Sequence, residues 1–490
     1  MTNFINLLPI VLVALGALVT IAAEPFVKDE NKHKVLPWIA VIFLVCGGAA
    51  FSHTSPDTLL NLYAMDPVRR LLGIAVLLST FLGIAGLQWT LGREKFKGGE
   101  AYGLMLLAAC GAMLMTQAID FLALFLGMEL ASFPVYALVG IRRHEENAGE
   151  GVLKYFVSGS IFSAIYLYGV ALIYGATGTT HFCASVLEGR GTLYAIGILF
   201  VIFGLLFKAG AAPFHFWVAD VYTGASVAVT GFMAAVVKVG ALAALGSVWL
   251  GLLVTKTGTA PAWNLSEPVT IAGQSTSLFW VVVIVALLSM VVGAFSGLAQ
   301  KSIRRILAFS AVMNAGFIVI GFLLPNYGAS GTVQLGPMAY FLVTYAVASA
   351  GALTGIAYMA GKDDKNETLD DLQGVGRRRP FVALGTTVCL ASLAGLPPVA
   401  GFLAKFTLFT DAFAAGLGWL AIAGFGLSLL AAVYYLRVAF VLFAPHAVSE
   451  EEKQAMCMNP AYGYLLKFGV AIAAIALLAV GIMPAWALIA

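Results

Sequence analysis

The sequence predicts an all-α polytopic membrane protein, and three observations support this fold class. Of the 490 residues, 61% are hydrophobic and 10% are charged, whereas about 25% of a soluble domain is charged. The hydrophobic residues form continuous segments, and a helix needs about 20 residues to cross a bilayer. Four ionisable residues stand alone inside such segments: Glu129, Lys208, Lys238 and Lys405. One soluble core is therefore excluded, and a transport function is indicated.

The apolar segments predict about fourteen transmembrane helices. Only helices and closed barrels satisfy their backbone groups in lipid, and barrel strands would alternate in polarity over about ten residues. The first segment is interpreted as a retained span, because no Lys or Arg precedes Lys28 to form the basic region of a signal peptide. The predicted segments are 5–23, 35–52, 68–91, 101–118, 119–141, 151–176, 191–219, 225–249, 278–296, 303–324, 337–360, 381–412, 417–443 and 463–488.

Lys and Arg residues are distributed unequally between the predicted loops. Loops after odd-numbered helices carry seventeen, and loops after even-numbered helices carry four. Because positive loops face the cytoplasm, both termini are expected on the outer, periplasmic side of a bacterial inner membrane. The net charge of +3, without a basic face that contains aromatics, argues against nucleic acid as a partner.

No cofactor or metal ion is expected in this chain. The five cysteines lie far apart and form no CxxC pair, so neither a disulfide framework nor a metal site is indicated. The sequence also contains no glycine-rich phosphate loop, haem-ligand pattern or Ser/His/Asp arrangement.

Two of the predicted helices are interrupted by glycine and proline. The run FKAGAAPFHFW (207–217) lies within predicted helix 7, and GLPPVAGFLAKF (395–406) lies within predicted helix 12. Such interruptions at corresponding positions point to broken helices and an ion path between repeats. Two inverted five-helix repeats, helices 4–8 and 9–13, would place each break fourth in its repeat. The expected domains are an N-terminal part, the two repeats and a last helix, over residues 1–100, 101–249, 278–443 and 463–490.

The isolated charges are expected to be functional, because an ionised group in hydrocarbon costs roughly 3 to 17 kcal/mol. Glu129, within GMELASFP (127–134), is either a proton-binding group or a structural carboxylate. Lys208 precedes the first break, and with Glu129 it would form a switch. A closed ion pair keeps the proton on the lysine and an open pair lets it leave. A static buried ion pair is the alternative.

The other two lysines are predicted to relay protons. Lys238 is the fourteenth residue of the run 225–249, a central position that argues against a side chain reaching the interface. Lys405 follows the second break and would be a terminal loading or exit site, or else a helix-end lysine. A second tier comprises His215, as a relay or a locally bonded histidine, and Lys154, which feeds an inner cavity or is interfacial. Asp220 is expected at a helix cap or interface.

Several stretches together resemble one family. They are GMELASFPVYALVG (127–140), FKAGAAPFHFWVADVYTGA (207–225), QKSIRRILAFSAVMNAG (300–316), LDDLQGVGRRRP (369–380), GLPPVAGFLAKF and YYLR (434–437). Over roughly residues 100–440 they resemble the antiporter-like membrane subunits of respiratory complex I, and within these the N type. The resemblance implies fourteen helices with two inverted repeats. It also implies that Glu129, Lys208, Lys238 and Lys405 are the proton-translocating residues.

The resemblance also distinguishes the related subunits and implies the partners. The M type usually has glutamate where this chain has Lys405, and the L type carries a long lateral helix, whereas this sequence ends shortly after predicted helix 14. The D subunit of multisubunit sodium/proton antiporters is the nearest alternative, and a passive scaffold is a third. The implied function is proton translocation driven by NADH oxidation and quinone reduction. NADH, flavin, iron–sulfur clusters and quinone are expected in partner subunits, and antiporter-like M and small K/J/A-type subunits are expected as neighbours in the bilayer.

Overall fold

The protein is all-α and polytopic, as the sequence predicts. The computed structural model describes residues 2–94, 98–142, 146–182, 192–253, 270–271, 274–275, 278–324, 326–327, 333–334, 336–360, 368–445 and 463–483. Its helices are α1 (Leu8–Ala23), α2 (Asp29–Ala50), α3 (Pro67–Glu94), α4 (Glu100–Gln117), α5 (Phe121–Val139), α6 (Glu146–Thr177), α7 (Thr192–Ala209), α8 (Val218–Gly224), α9 (Val227–Phe232), α10 (Lys238–Leu253), α11 (Leu278–Leu298), α12 (Ile303–Gly321), α13 (Gly336–Met359), α14 (Val375–Arg378), α15 (Pro380–Ala394), α16 (Ala400–Ala414), α17 (Gly418–Phe443) and α18 (Tyr464–Ile482).

Among the described residues, twelve helices are long and apolar enough to cross a membrane. The two predicted segments outside this set are 101–118, which forms the 18-residue α4, and the interrupted segment 381–412. The count of fourteen, the inverted repeats, the domain boundaries and the membrane orientation therefore stay predictions.

Both predicted interruptions are confirmed. Helix α7 ends at Ala209 and α8 begins at Val218, and α15 ends at Ala394 while α16 begins at Ala400. Proline explains why neither helix continues, since it lacks an amide donor and clashes with the preceding turn. Each break contains a glycine with positive φ and a cis X-Pro bond. Both breaks thus end a half-helix inside the bundle.

The central helix of the bundle consists of α9 and α10, which are joined by a π-helical turn at Met233–Val237. Ser226 caps its start by accepting a hydrogen bond from the Val229 N–H, at 3.4 Å. The segment packs against α3, α4, α7 and α13. The apolar stretch with which it could cross the membrane is completely buried. Wider π turns occur frequently at functional sites, and this one lies immediately before Lys238.

Three short antiparallel hairpins lie in loops after even-numbered predicted helices, and the sequence analysis did not predict them. They are β1 (Asp57–Leu59) with β2 (Tyr63–Met65), β3 (Thr270–Ile271) with β4 (Gln274–Ser275), and β5 (Asn326–Tyr327) with β6 (Val333–Gln334). They leave the helical fold class unchanged.

Candidate functional site

Glu129 lies near the middle of α5 and is half-buried. Asp120 directly precedes the helix and caps it, because its carboxylate accepts the N–H groups of Leu122 and Ala123 at 2.9 and 3.0 Å. The Glu129 Oε1 atom accepts a hydrogen bond of 2.6 Å from the Ser163 hydroxyl on α6. The carboxylate is therefore held by a neutral donor from the neighbouring helix.

Lys208 lies in the last turn of α7 and is 1% exposed. Its Nζ donates to Ser132 Oγ at 2.6 Å and to Tyr136 Oη at 3.3 Å. The Ser132 hydroxyl in turn donates to the Met128 carbonyl at 2.6 Å. Nζ also lies 5.5 Å from the centroid of the Tyr136 ring, within the range of a cation–π interaction. The ammonium thus contacts α5 through neutral groups.

The predicted Glu129–Lys208 ion pair is open in this structure. Within the described part of the chain, Glu129 is bonded to Ser163, and Lys208 is bonded to Ser132 and Tyr136. Glu129 and Ser132 lie one helical turn apart on α5, so the carboxylate is close to the lysine that Ser132 holds. The closed pair, and the switch between the two arrangements, stay predictions.

Lys238 is the first residue of α10 and is also 1% exposed. Its Nζ donates to the Ala311 carbonyl on α12 at 2.7 Å, and this is its one hydrogen bond to the residues that the structure describes. His215, half-buried in the first break, is close enough to Lys238 to interact with it electrostatically. Lys238 therefore joins the first predicted repeat to the second through a backbone carbonyl.

Lys405 lies on α16 and is 6% exposed. Its Nζ donates to the carbonyls of Leu393 and Ala394, at 2.8 and 3.1 Å, and to Ser428 Oγ at 2.9 Å. The two carbonyls belong to the C-terminal end of α15, the negative end of a helix dipole. The second break thus creates the site that holds this ammonium.

Polar side chains and a small cavity lie between Lys238 and Lys405. On α12, the Asn314 amide donates to Ser310 O at 2.8 Å and to Tyr435 Oη at 3.2 Å, and the hydroxyls of Ser310 and Tyr435 are bonded to each other. The cavity has room for about one water molecule. Its polar lining residues are Asn314, Thr344, Tyr345, Ser392 and Lys405.

The second-tier residues divide into two groups. Lys154 Nζ contacts Asp220 Oδ2 and Glu150 Oε1, both at 2.6 Å, and its side chain is 43% exposed. Arg305 on α12 reaches the same Asp220 at 3.4 Å, so Asp220 connects α6, α8 and α12. His215 lies instead in the first break, near Lys238. Within the described residues, no group of three His, Cys, Asp or Glu side chains suits a metal ion.

The sequence analysis missed the neutral partners of the charged groups. Ser132 follows Glu129 by three residues, and Ser310 and Asn314 are four residues apart, so both pairs share one helical face. These spacings could have predicted, from the sequence alone, that polar side chains lie beside the charged groups. The carbonyl acceptors Ala311, Leu393 and Ala394 had no such signal, because every residue carries a backbone carbonyl.

In the described part of the chain, a many-spanning bundle has two broken helices and holds Lys208, Lys238 and Lys405 buried beside or within its central segments. These features are those of the class of antiporter-like membrane subunits. Residues 118–431 match the family described as "NADH:quinone oxidoreductase/Mrp antiporter, TM". The chain belongs to this family.

Its relatives include NADH-quinone oxidoreductase subunit N of Trichlorobacter lovleyi, which is 36% identical over 92% of this chain and 89% of the relative. The same subunit of Laribacter hongkongensis is 33% identical over 98% and 95%. A chain of respiratory complex I from Thermus thermophilus with bound aureothin is 29% identical, with a TM-score of 0.79, over 98% of this chain and 99% of that chain. A chain of the Mrp complex from Dietzia, 20% identical, shares the fold with a TM-score of 0.79.

Proposed function

We propose that this protein is a proton-translocating membrane-arm subunit of a bacterial NADH:quinone oxidoreductase, of the N type. One observation carries the proposal. Lys208, Lys238 and Lys405 are buried, and among the described residues each is bonded to hydroxyls or carbonyls rather than to a carboxylate. A purely structural buried charge is usually paired with an opposite charge.

Uncompensated lysines suit proton transfer because burial disfavours the charged form of an amine. A nearby charge that moves or changes sign can then decide whether the proton stays. Moving one proton against 100 mV takes about 2.3 kcal/mol, and two charges 4 Å apart interact by about 4 kcal/mol at an effective dielectric constant of 20. The free-energy change on opening or closing one Glu129–Lys208 pair is therefore large enough to move one proton against 100 mV.

In this proposal the redox chemistry belongs to other subunits. NADH, flavin, iron–sulfur clusters and quinone bind to partner chains, and the neighbours in the membrane are an antiporter-like M subunit and small K/J/A-type subunits. The chain lies in the bacterial inner membrane with both termini on the periplasmic side. The family match and the subunit N relatives support the membrane location and these partners. The excess of Lys and Arg in the loops after odd-numbered helices supports the position of the termini.

Purification in a mild detergent tests this function. We expect NADH-oxidising and quinone-reducing subunits to co-purify, and we expect vesicles containing the complex to acidify when NADH and quinone are added. Recovery without redox partners, together with sodium-driven pH changes in vesicles that lack them, would instead support the alternative, a subunit of a multisubunit sodium/proton antiporter.

Ser132→Ala should slow NADH-driven proton pumping about tenfold, because the Lys208 ammonium loses its shortest hydrogen bond and a hydrogen bond to a charged group contributes about 1.5–3 kcal/mol. The control is Ser160→Ala, since Ser160 is an exposed serine on α6 whose hydroxyl donates to the Phe156 carbonyl of its own helix, at 2.8 Å. Proton uptake by vesicles with equal subunit content is the measurement. Equal rates in the two variants would contradict a role for the Ser132 contact.

A further inference from the structure

The chain leaves α7 through a glycine cap. Gly210 has φ +64°, its N–H donates to the Phe207 carbonyl at 2.9 Å, and the Ala211 N–H donates to the Leu206 carbonyl at 3.0 Å. These two bonds form the Schellman motif. The motif leaves the carbonyls of the last two helical residues without backbone donors from the described part of the chain.

Helix α15 ends in the same way. Gly395 has φ +80°, its N–H donates to the Ser392 carbonyl, and the Leu396 N–H donates to the Ala391 carbonyl, both at 3.0 Å. Both caps lie in the pattern Ala-Gly-x-x-Pro, at 209–213 and 394–398. The two breaks are therefore built alike at their glycines.

At the second break, the free carbonyls are occupied. The carbonyls of Leu393 and Ala394 accept hydrogen bonds from Lys405 Nζ. A methyl group on Gly395 would lie 2.8 Å from Lys405 Cδ and 3.4 Å from Nζ, so a larger residue here would displace this side chain. The Lys405 side chain thus passes Gly395, and its ammonium group reaches the carbonyls at the end of α15.

At the first break, another ammonium lies beside the equivalent glycine without being bonded to the helix end. A methyl group on Gly210 would lie 3.7 Å from Lys238 Nζ and 3.8 Å from Cε. The ammonium has three donors, and the described residues supply one acceptor, the Ala311 carbonyl. The glycine that follows the Lys208 and Ala209 carbonyls thus lies beside the Lys238 ammonium. These two carbonyls correspond by position to the pair that holds Lys405 at the second break.

We propose that Lys238 alternates between two acceptor sites: the Ala311 carbonyl on α12, and the free carbonyls of Lys208 and Ala209 at the end of α7. Gly210 is the positioning residue that keeps the second site open. The two sites lie in different predicted repeats, so the movement transfers one positive charge between them. Its role in pumping rests on the proposed function.

The test places a methyl group on Gly210. Because that methyl would lie 2.8 Å from Val218 Cγ2, Gly210→Ala is combined with Val218→Ala, and Val218→Ala alone is the reference. Gly178→Ala controls for backbone conformation, since Gly178 has φ +70° and a methyl there meets nothing within 4 Å. We expect NADH-driven proton uptake to fall about tenfold in the double variant relative to its reference, the effect of one lost charged hydrogen bond, and to be unchanged in Gly178→Ala.

Adding Lys238→Met separates positioning from general damage. If Gly210 acts through Lys238, the triple variant pumps no more slowly than Lys238→Met alone, because effects on one shared interaction are not additive. Equal pumping by the double variant and its Val218→Ala reference, with Lys238→Met impaired, would overturn this inference and leave the proposed function intact. Normal pumping by Lys238→Met would instead contradict the relay that the proposed function places at Lys238, and with it this inference.

High-resolution structures of the whole wild-type complex, oxidised and reduced by NADH, provide a test that needs no variant. The inference expects Lys238 Nζ within hydrogen-bonding distance of the Ala209 or Lys208 carbonyl in one of these states. Finding Nζ on the Ala311 carbonyl alone in both states would overturn it.

Discussion

Lys238→Met is expected to reduce NADH-driven proton pumping on the order of a hundredfold, the usual scale for losing a group that transfers protons. Methionine keeps an unbranched side chain of similar length and removes the charge. The Ala311 carbonyl lies inside α12, so it keeps its place in the helical hydrogen-bond ladder after the substitution. The variant should therefore assemble normally while losing the only charged group of the central helix.

The measurement is proton uptake by vesicles, normalised to subunit content and to NADH oxidation with a water-soluble acceptor. Lys301→Met is the control, because Lys301 is exposed in the loop before α12 and its loss changes net charge by the same amount. Normal pumping by a fully assembled Lys238→Met complex would contradict a relay at this position. A loss of assembled complex in Lys238→Met but not in Lys301→Met would support the scaffold alternative.

The sequence predicted the helical segments and both breaks because their physical causes are local. Long, continuously apolar runs form helices in lipid, because barrel strands alternate in polarity. Both breaks combine a glycine with positive φ and prolines that lack an amide donor. The π turn before Lys238 has no such cause in the run MAAVV (233–237), which suits an ordinary helix. All five residues of the turn are buried, and the neighbours that surround them cannot be deduced from the sequence of one segment.

The charged residues were predictable from their isolation, but their partners were not. Glu129 and Ser132 are one helical turn apart on α5, and the rotation of α5 against α7 decides which of them Lys208 reaches. In this structure it reaches Ser132. The acid–base pair stays a prediction, and the neutral contact that the structure shows is a consequence of tertiary packing.

Lys405→Met is expected to have the second large effect, a loss of pumping on the order of a hundredfold, and its structural cost should differ from that of Lys238→Met. The Lys405 ammonium supplies donors to two carbonyls that the cap of α15 leaves free, those of Leu393 and Ala394. Without it, these buried acceptors lose their partner, at a cost of about 1–3 kcal/mol each when no water replaces it. We therefore expect a lower thermal stability of the isolated subunit as well as slower pumping.

Ser428→Ala separates the two effects. It removes one acceptor from the Lys405 ammonium, the 2.9 Å contact to Ser428 Oγ, and keeps both the charge and the carbonyl contacts. Pumping should fall about tenfold, as expected for one hydrogen bond to a charged group, while the unfolding temperature stays close to that of the unmodified protein. If Lys405→Met lowered the unfolding temperature and left the pumping rate of the remaining assembled complex unchanged, Lys405 would be a cap for α15 and not a proton-carrying group. If Ser428→Ala slows pumping at unchanged stability, the second break holds the Lys405 ammonium for proton transfer.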